Sequence, residues 1–163
     1  MRIINSGLFE AFGKCPTKCY RLSKGERGLE NVFADWLGAQ QRSYRDEGFK
    51  RLTANGRTKQ YDMDPLDGAA LKDGQWQFAS NCIVTAHSCE SHLDAVERNA
   101  QSKPEKSYHL VPVRFVHRNK VTIEDKLLVA FDVFVLAGIT GRKILSGKLI
   151  YGSEYRSLKV KTS

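Results

Sequence analysis

The sequence predicts an α/β fold, a mixed central sheet flanked by helices, built as one domain over residues 1–163. Three stretches carry the expectation of an α/β core. Tyr108 to Val116 (YHLVPVRFV) is β-branched and aromatic, which suits a pleated, half-buried surface. Thr122 then offers a hydroxyl N-cap, with Glu124 and Asp125 in the first turn, to a helix from Lys126 to Ala137. That helix is apolar almost all round (Leu127, Leu128, Val129, Phe131, Val133, Phe134, Leu136), so it must be covered on most sides. Gly138 and Gly141 are read as its end, and Lys148–Gly152 and Leu158–Lys161 as returning strands. Strand, crossover helix and further strands make the core, and 163 residues suffice to bury one.

From the N-terminus, Ser6 to Phe12 reads as a short helix broken at Gly13, and Cys15-Pro16 as the start of another, since proline suits a first helical position. A long helix follows from about Leu29 to Leu52. Leu29, Val32, Phe33, Trp36, Leu37, Gln40 and Tyr44 form one stripe at spacings of three and four, read as core, with Arg42, Arg45 and Lys50 near the other side. Thr53 to Gln60 is polar with a turn signal at Asn55-Gly56, and Asp62-Met-Asp-Pro65 with Asp67-Gly68 suggests a capped turn and a loop. Trp76–Ala86 and Glu90–Arg98 read as strands joined near His87-Ser88, and Gln101–Lys106 as the loop into the Tyr108 strand. The helical part is thus residues 1–60 and the sheet with its crossover helix residues 75–163.

Composition narrows the class. At 41% hydrophobic and 27% charged the chain is neither disordered nor membranous. No apolar run approaches the roughly 18 residues of a membrane span, and no signal-peptide core follows Met1-Arg2-Ile3-Ile4-Asn5. The expectation is a cytoplasmic protein without a membrane partner. Net charge is +8, unevenly placed: residues 1–60 hold 12 Lys/Arg against 6 Asp/Glu, 61–140 hold 8 against 11, and 141–163 hold 6 against 1. Basic ends around an acidic middle fit a polyanion, because neutralising phosphates releases counterions; solubility alone is the other explanation. The basic residues singled out for nucleic acid are Arg42, Arg45, Lys50, Arg51, Lys148 and Lys159. Cys15, Cys19, Cys82 and Cys89 are spaced CxxxC and CxxxxxxC, a poor match to the CxxC spacing of structural zinc sites. Four reduced, mostly buried thiols are expected, with a metal site or a disulfide as alternatives.

Pro112-Val-Arg-Phe-Val, Asp125-Lys-Leu-Leu-Val-Ala-Phe-Asp132 and Gly147-Lys-Leu-Ile-Tyr-Gly152 follow Leu93-Asp-Ala-Val-Glu-Arg98 in the chain. Together they resemble RecB-like nuclease proteins of the PD-(D/E)XK superfamily, related to the CRISPR-associated RecB-like exonucleases. Cys15-Pro-Thr-Lys-Cys19, Ala34-Asp-Trp36 and Glu47-Gly-Phe-Lys-Arg-Leu52 resemble the start of the same proteins, so the likeness runs in matching order from about Ser6 to Thr162. It implies a restriction-endonuclease-like core and a metal-dependent hydrolase of nucleic acid, DNA before RNA with both open, serving repair, recombination or defence. Similar proteins often continue into further domains, and a missing downstream part or a protein partner is an open expectation. The related exonucleases hold an iron–sulfur cluster with several late cysteines; this chain has none after Cys89, so no cluster is expected.

The resemblance implies an acid on one strand and an E-x-K on the next, acids holding Mg²⁺ and the lysine serving the attacking water. Asp94 falls at the first acid, and the E-x-K falls on Arg114-Phe115-Val116, with arginine in place of the acid and valine in place of the lysine. A guanidinium stays charged and binds no metal. Arg114 is expected to pair with Asp94 across the strands, and an arginine there would still hold a phosphate. A second metal reading takes Glu90, His92, Asp94 and Glu97, with Glu90, His92 and Asp94 on one strand face for Mg²⁺ or Mn²⁺, and Glu30 as an additional acid. The alternative is a polar strand edge, and His109 and His117 are read as exposed strand residues. The expected activity is nucleic-acid binding with cleavage in doubt; a noncatalytic protein-interaction module is the competing class.

Overall fold

The computed structural model describes residues 3–26, 28, 31–54, 60–62, 76–100 and 108–162. Its elements are β1 (Ile4–Asn5), α1 (Ser6–Lys14), α2 (Pro16–Ser23), α3 (Val32–Ala54), β2 (Gln60–Asp62), β3 (Phe78–Ala86), β4 (Cys89–Ala100), β5 (Tyr108–Val116), α4 (Ile123–Thr140), β6 (Ser146–Tyr151) and β7 (Arg156–Lys161). The protein is a mixed α/β structure, as expected. The sheet runs β2-β3-β4-β5-β6-β7, with β1 beside the start of β4. β5 and β6 are parallel with α4 crossing between them, while the β3–β4, β4–β5 and β6–β7 pairs are antiparallel. β1 and β2 were not legible: two and three residues are too short for a period to register.

Local chemistry accounts for the main joints. His87 and Ser88 take φ of 51° and 61°, the left-handed pair that a two-residue hairpin needs to match strand twist. Thr122 caps α4 by accepting from Asp125 N, and the Asp125 carboxylate accepts from Thr122 N at 2.8 Å, closing a capping box. Gly141, at φ 64°, is the left-handed C-cap. Gly138, expected as a terminator, lies inside the helix instead. A Cβ there would stand 2.7 Å from the His87 ring and 2.8 Å from Ala86 Cβ, so the residue lets α4 approach the hairpin turn. Asn5 Oδ1 caps α1 at Leu8 N, and α1 runs through Gly13 to Lys14.

The sheet is covered on both faces. α4 packs on one side, where Phe131, Val135 and Leu136 meet Ala79, Cys82, Val84, Leu93 and Val96. Val129 meets Val116, Leu149 and Val160 on the same side. α3 covers the other face through Tyr44 and Phe49, against Phe78, Ala95, Val113, Phe115 and Ile150. Gly48 is required there, since a Cβ would sit 2.5 Å from the Phe115 ring.

The apolar stripe of α3 is the main departure from expectation. Only its later part is core: Tyr44 is 6% exposed, but Val32 is 85%, Phe33 65%, Trp36 54% and Leu37 46% exposed. The reason is where the helix meets the sheet. Gln41 donates to the Phe115 carbonyl and accepts from His117 N, pinning α3 at the end of β5. Val32 to Gln40, about 13 Å of helix at ~1.5 Å per residue, precede that anchor. Leu29, Glu30, Asn55-Gly56, Met63–Pro65, Asp67-Gly68 and Gln101–Lys106 lie outside the described residues.

Candidate functional site

The ladder between β3 and β4 pairs Ser80 with Ala95 and Cys82 with Leu93, passing over Asn81 and Asp94. Asn81 has a left-handed φ of 52°. Both strands change faces at this point: Phe78 and Ala95 pack under α3, whereas Cys82 and Leu93, of the same parity, pack under α4. The register is the same on both sides of the gap, so no residue is inserted; a non-glycine residue held in the left-handed region costs stability, and such strain clusters at functional sites. Here a cleft of about 210 Å³ lies beneath α3, lined by Arg45, Asp46, Phe49, Lys50, Ser80, Asn81 and Asp94. A second hollow of about 200 Å³ shares Arg45, Asn81 and Asp94 and runs on past Ile83 and His92.

Asp94 is hydrogen-bonded at one oxygen and faces a cation at the other. Oδ2 accepts the Phe115 backbone N–H at 2.9 Å, and Oδ1 stands 3.7 Å from Arg45 Nη1. The expected pairing with Arg114 is not formed, although the two strands are adjacent. Val113 and Phe115 face α3, so strand alternation turns Arg114 toward α4. There its guanidinium donates through Nε to Asp132 Oδ2 and through Nη2 to Asp132 Oδ1 at 2.8 Å. Ser91 donates to Asp132 Oδ1, and Arg114 Nη2 reaches Ser6 Oγ at 3.3 Å and the His92 carbonyl at 3.4 Å. Ser6 Oγ also accepts from His92 N at 3.1 Å, so the network ties α1, β4, β5 and α4 together.

Asp132 is 0% exposed. Burial pushes its carboxyl above the usual range, against the pull of Arg114 and the Ser91 hydroxyl. Burial works against the charge of Arg114 as well, but Asp132, beside it and hydrogen-bonded to it, holds the guanidinium above its ordinary value. A guanidinium has donors only, so the bidentate geometry describes an ion pair, with Asp132 ionised at neutral pH. Arg114 is consumed as the counter-ion of a buried carboxylate. The sequence held a signal for this partnership: Asp132 is the one acid in the apolar stretch of α4 beyond its first turn, and such an acid needs a buried cation.

The α3-facing positions of β5 are Val113 and Phe115, 0% and 2% exposed, and Val116 belongs to the cluster under α4. Whichever frame is chosen, the strand beside Asp94 presents no carboxylate or lysine to the cleft. The second set of candidate ligands separates into pairs: His92 Nε2 lies 3.0 Å from Glu90 Oε1, Glu97 pairs with Lys148, and Asp94 with Arg45. Among the described residues no three His, Cys, Asp or Glu side chains converge as a metal-ligand group. The cysteines are free; Cys82 is buried, Cys19 and Cys89 half-buried and Cys15 exposed, so burial of most of them is not what the fold provides. His109 on β5 and His117 just after it are exposed.

The basic candidates divide in the same way. Arg51 is bound to Glu47 at 2.9 Å and lies over the Tyr155 ring at 4.2 Å, and Lys148 is held by Glu97. Arg42, Lys50 and Lys159 are exposed and form no ion pair among the described residues. Two of these three lie on α3, and Lys50 also lines the cleft. Asn81 escaped sequence reasoning, because nothing in FASNCIVTA marks a left-handed residue except asparagine's modest tolerance of that conformation.

No family model and no curated protein matches the sequence. Among solved structures the chain is similar to the crystal structure of SSO0001, at a TM-score of 0.41 and 8% identity over 98% of this chain and 68% of that one. No helix among the described residues is long and apolar enough to cross a membrane.

Proposed function

We propose that the protein is a cytoplasmic nucleic-acid-binding module on a PD-(D/E)XK-like core, acting on DNA in repair, recombination or defence without cutting it by a metal-dependent route. The observation that carries this reading is the placement of Arg42 and Lys50, cations without a carboxylate partner among the described residues, along the helix that overhangs the cleft. Phosphate contacts position a protein on nucleic acid without reading sequence, and cations not already spent on carboxylates are the ones that supply them. The absence of cleavage is inferred from side-chain chemistry. Arg114 serves Asp132, Asp94 serves Arg45 and the Phe115 amide, and Val113, Phe115 and Val116 bring no ligand. A protein-interaction module remains the second reading, favoured by the exposed Val32, Phe33, Trp36 and Leu37 of α3, since clustered exposed apolar side chains mark association surfaces.

The test incubates the protein with labelled single- and double-stranded DNA, first in chelator and then with Mg²⁺ or Mn²⁺. Retention of DNA in chelator and intact DNA after metal addition support the reading. Metal-dependent cleavage that disappears in Asp94→Ala protein would remove the non-cutting half of it. Absence of binding would transfer the case to the interaction surface.

A further inference from the structure

Arg45 is charge-balanced but not hydrogen-bonded. Its side chain is 30% exposed, and its carboxylate neighbours stand 3.7 Å away at Asp94 and 3.8 Å away at Asp46. Both distances exceed the roughly 2.7–3.2 Å of an N–H···O hydrogen bond. Nε is buried and has no hydrogen-bond partner among the described residues. A guanidinium is a planar fork of donors matched to carboxylate or phosphate oxygens, and here the fork grips neither carboxylate. Buried donors are normally satisfied, so this one marks a missing acceptor.

The surroundings say which acceptor fits. Lys50 lines the same cleft, is exposed, and has no ion-pair partner among the described residues. Asn81 lines it from the opposite wall at the point where β3 changes faces, in a backbone conformation uncommon outside glycine. Two cationic heads and an amide around about 210 Å³ suit one phosphate with part of its sugar. Asp46 and Asp94 also line the cleft. A strand running through would bring neighbouring phosphates on both sides against those carboxylates, whereas a strand end brings a neighbour on one side only.

We propose that this cleft seats the terminal phosphate of a nucleic-acid strand, gripped by Arg45 and Lys50 with the Asn81 amide, and that Arg45 leaves Asp94 to take it. The proposal rests on the nucleic-acid reading above and narrows it to strand ends. Asp94, fixed by the Phe115 amide, then acts as the holding partner of Arg45 in the unliganded protein.

The experiment compares fluorescein-labelled single strands of one sequence, bearing a phosphate or a hydroxyl at the unlabelled end (5′ in one series, 3′ in the other), by anisotropy at low salt without divalent ions. A terminal phosphate is expected to tighten binding about tenfold or more in one series, the worth of charge-assisted hydrogen bonds. The gain should vanish in Arg45→Gln, return in part in Arg45→Lys, which keeps the charge and loses the fork, and shrink in Lys50→Gln. Thermal melts check that Arg45→Gln is folded, and Lys50, being exposed, supplies an independent variant. Equal affinity for phosphate and hydroxyl ends in both series overturns the seat and leaves general nucleic-acid binding standing. Binding of neither kind of strand overturns both.

Discussion

Replacing Arg114 with methionine would leave the Asp132 carboxylate 0% exposed with only the Ser91 hydroxyl to satisfy it. At about 4 Å and an effective dielectric constant near 20, the lost attraction is about 4 kcal/mol. Removing one partner of a buried pair costs about 3–5 kcal/mol, because the other charge stays buried. Against the roughly 5–15 kcal/mol that holds a domain folded, Arg114→Met protein should be marginal. The double variant Arg114→Met/Asp132→Leu removes both charges and fills the site with apolar volume, so it should return to within about 1–2 kcal/mol of the parent or exceed it. Urea unfolding followed by circular dichroism, with slopes compared to confirm a two-state transition, gives the four corners of the cycle. The pH dependence has a definite sign. Burial raises the folded value of the Asp132 carboxyl, and without Arg114 nothing cationic in the pair lowers it. The deficit of Arg114→Met should therefore be complete above the folded value and shrink as pH falls toward the unfolded carboxylate value of about 3.9. A single variant losing less than about 1 kcal/mol, or a double variant as unstable as the two singles summed, would refute the assignment of Arg114 to a structural pair.

Burial, and then the charge of the neighbouring Tyr155 phenol as it ionises, push the Tyr44 hydroxyl up to about 12 while it donates to the Gly152 carbonyl at 2.8 Å. Its contribution is complete below the unfolded value of about 10 and is lost as pH rises through about 12. Spectrophotometric titration should show two tyrosines lagging the rest, Tyr44 and Tyr155, whose hydroxyl burial also pushes up, and Tyr44→Phe should remove one of the two and cost about 1 kcal/mol. Trp36→Ala, at an exposed position, should shift stability by no more than about 1 kcal/mol, whereas Phe49→Ala in the core should cost about 3–5 kcal/mol. Melts that rank these two the other way round would mean that the apolar stripe of α3 is covered along its whole length.

Much of the fold was legible because its signals are local. β5, α4, β6 and β7 announced themselves through composition, the Thr122 cap and Gly141, and the β3–β4 hairpin through its period and turn. What failed was nonlocal. The stripe from Val32 to Tyr44 has a helical period throughout, but period gives only the face, and the sheet lies under just the later part of α3. Sequence reasoning pairs Asp94 with Arg114, whereas in the fold Asp94 lines the cleft and its ion-pair partner is Arg45. Opposed positions on antiparallel strands share a face only while alternation holds, and Asn81 and Asp94 sit where it breaks. The Arg114–Asp132 pair lies within reach of sequence reasoning, since one acid in the apolar stretch of a helix and one arginine in an apolar strand, joined by a crossover, have few other places to go.

The central claim is that Arg42 and Lys50 of α3 meet nucleic-acid phosphates, and it is tested most directly by the salt dependence of binding. Anisotropy of a labelled oligonucleotide in chelator, between about 50 and 200 mM salt, should give log affinity falling with log salt at a slope of several units. The Arg42→Gln/Lys50→Gln protein, folded because both side chains are exposed, should show a slope shallower by about 1.4–1.8 units, near 0.7–0.9 for each phosphate left without its cation. An affinity that does not move with salt, or a double variant whose slope equals the parent's, would contradict the account.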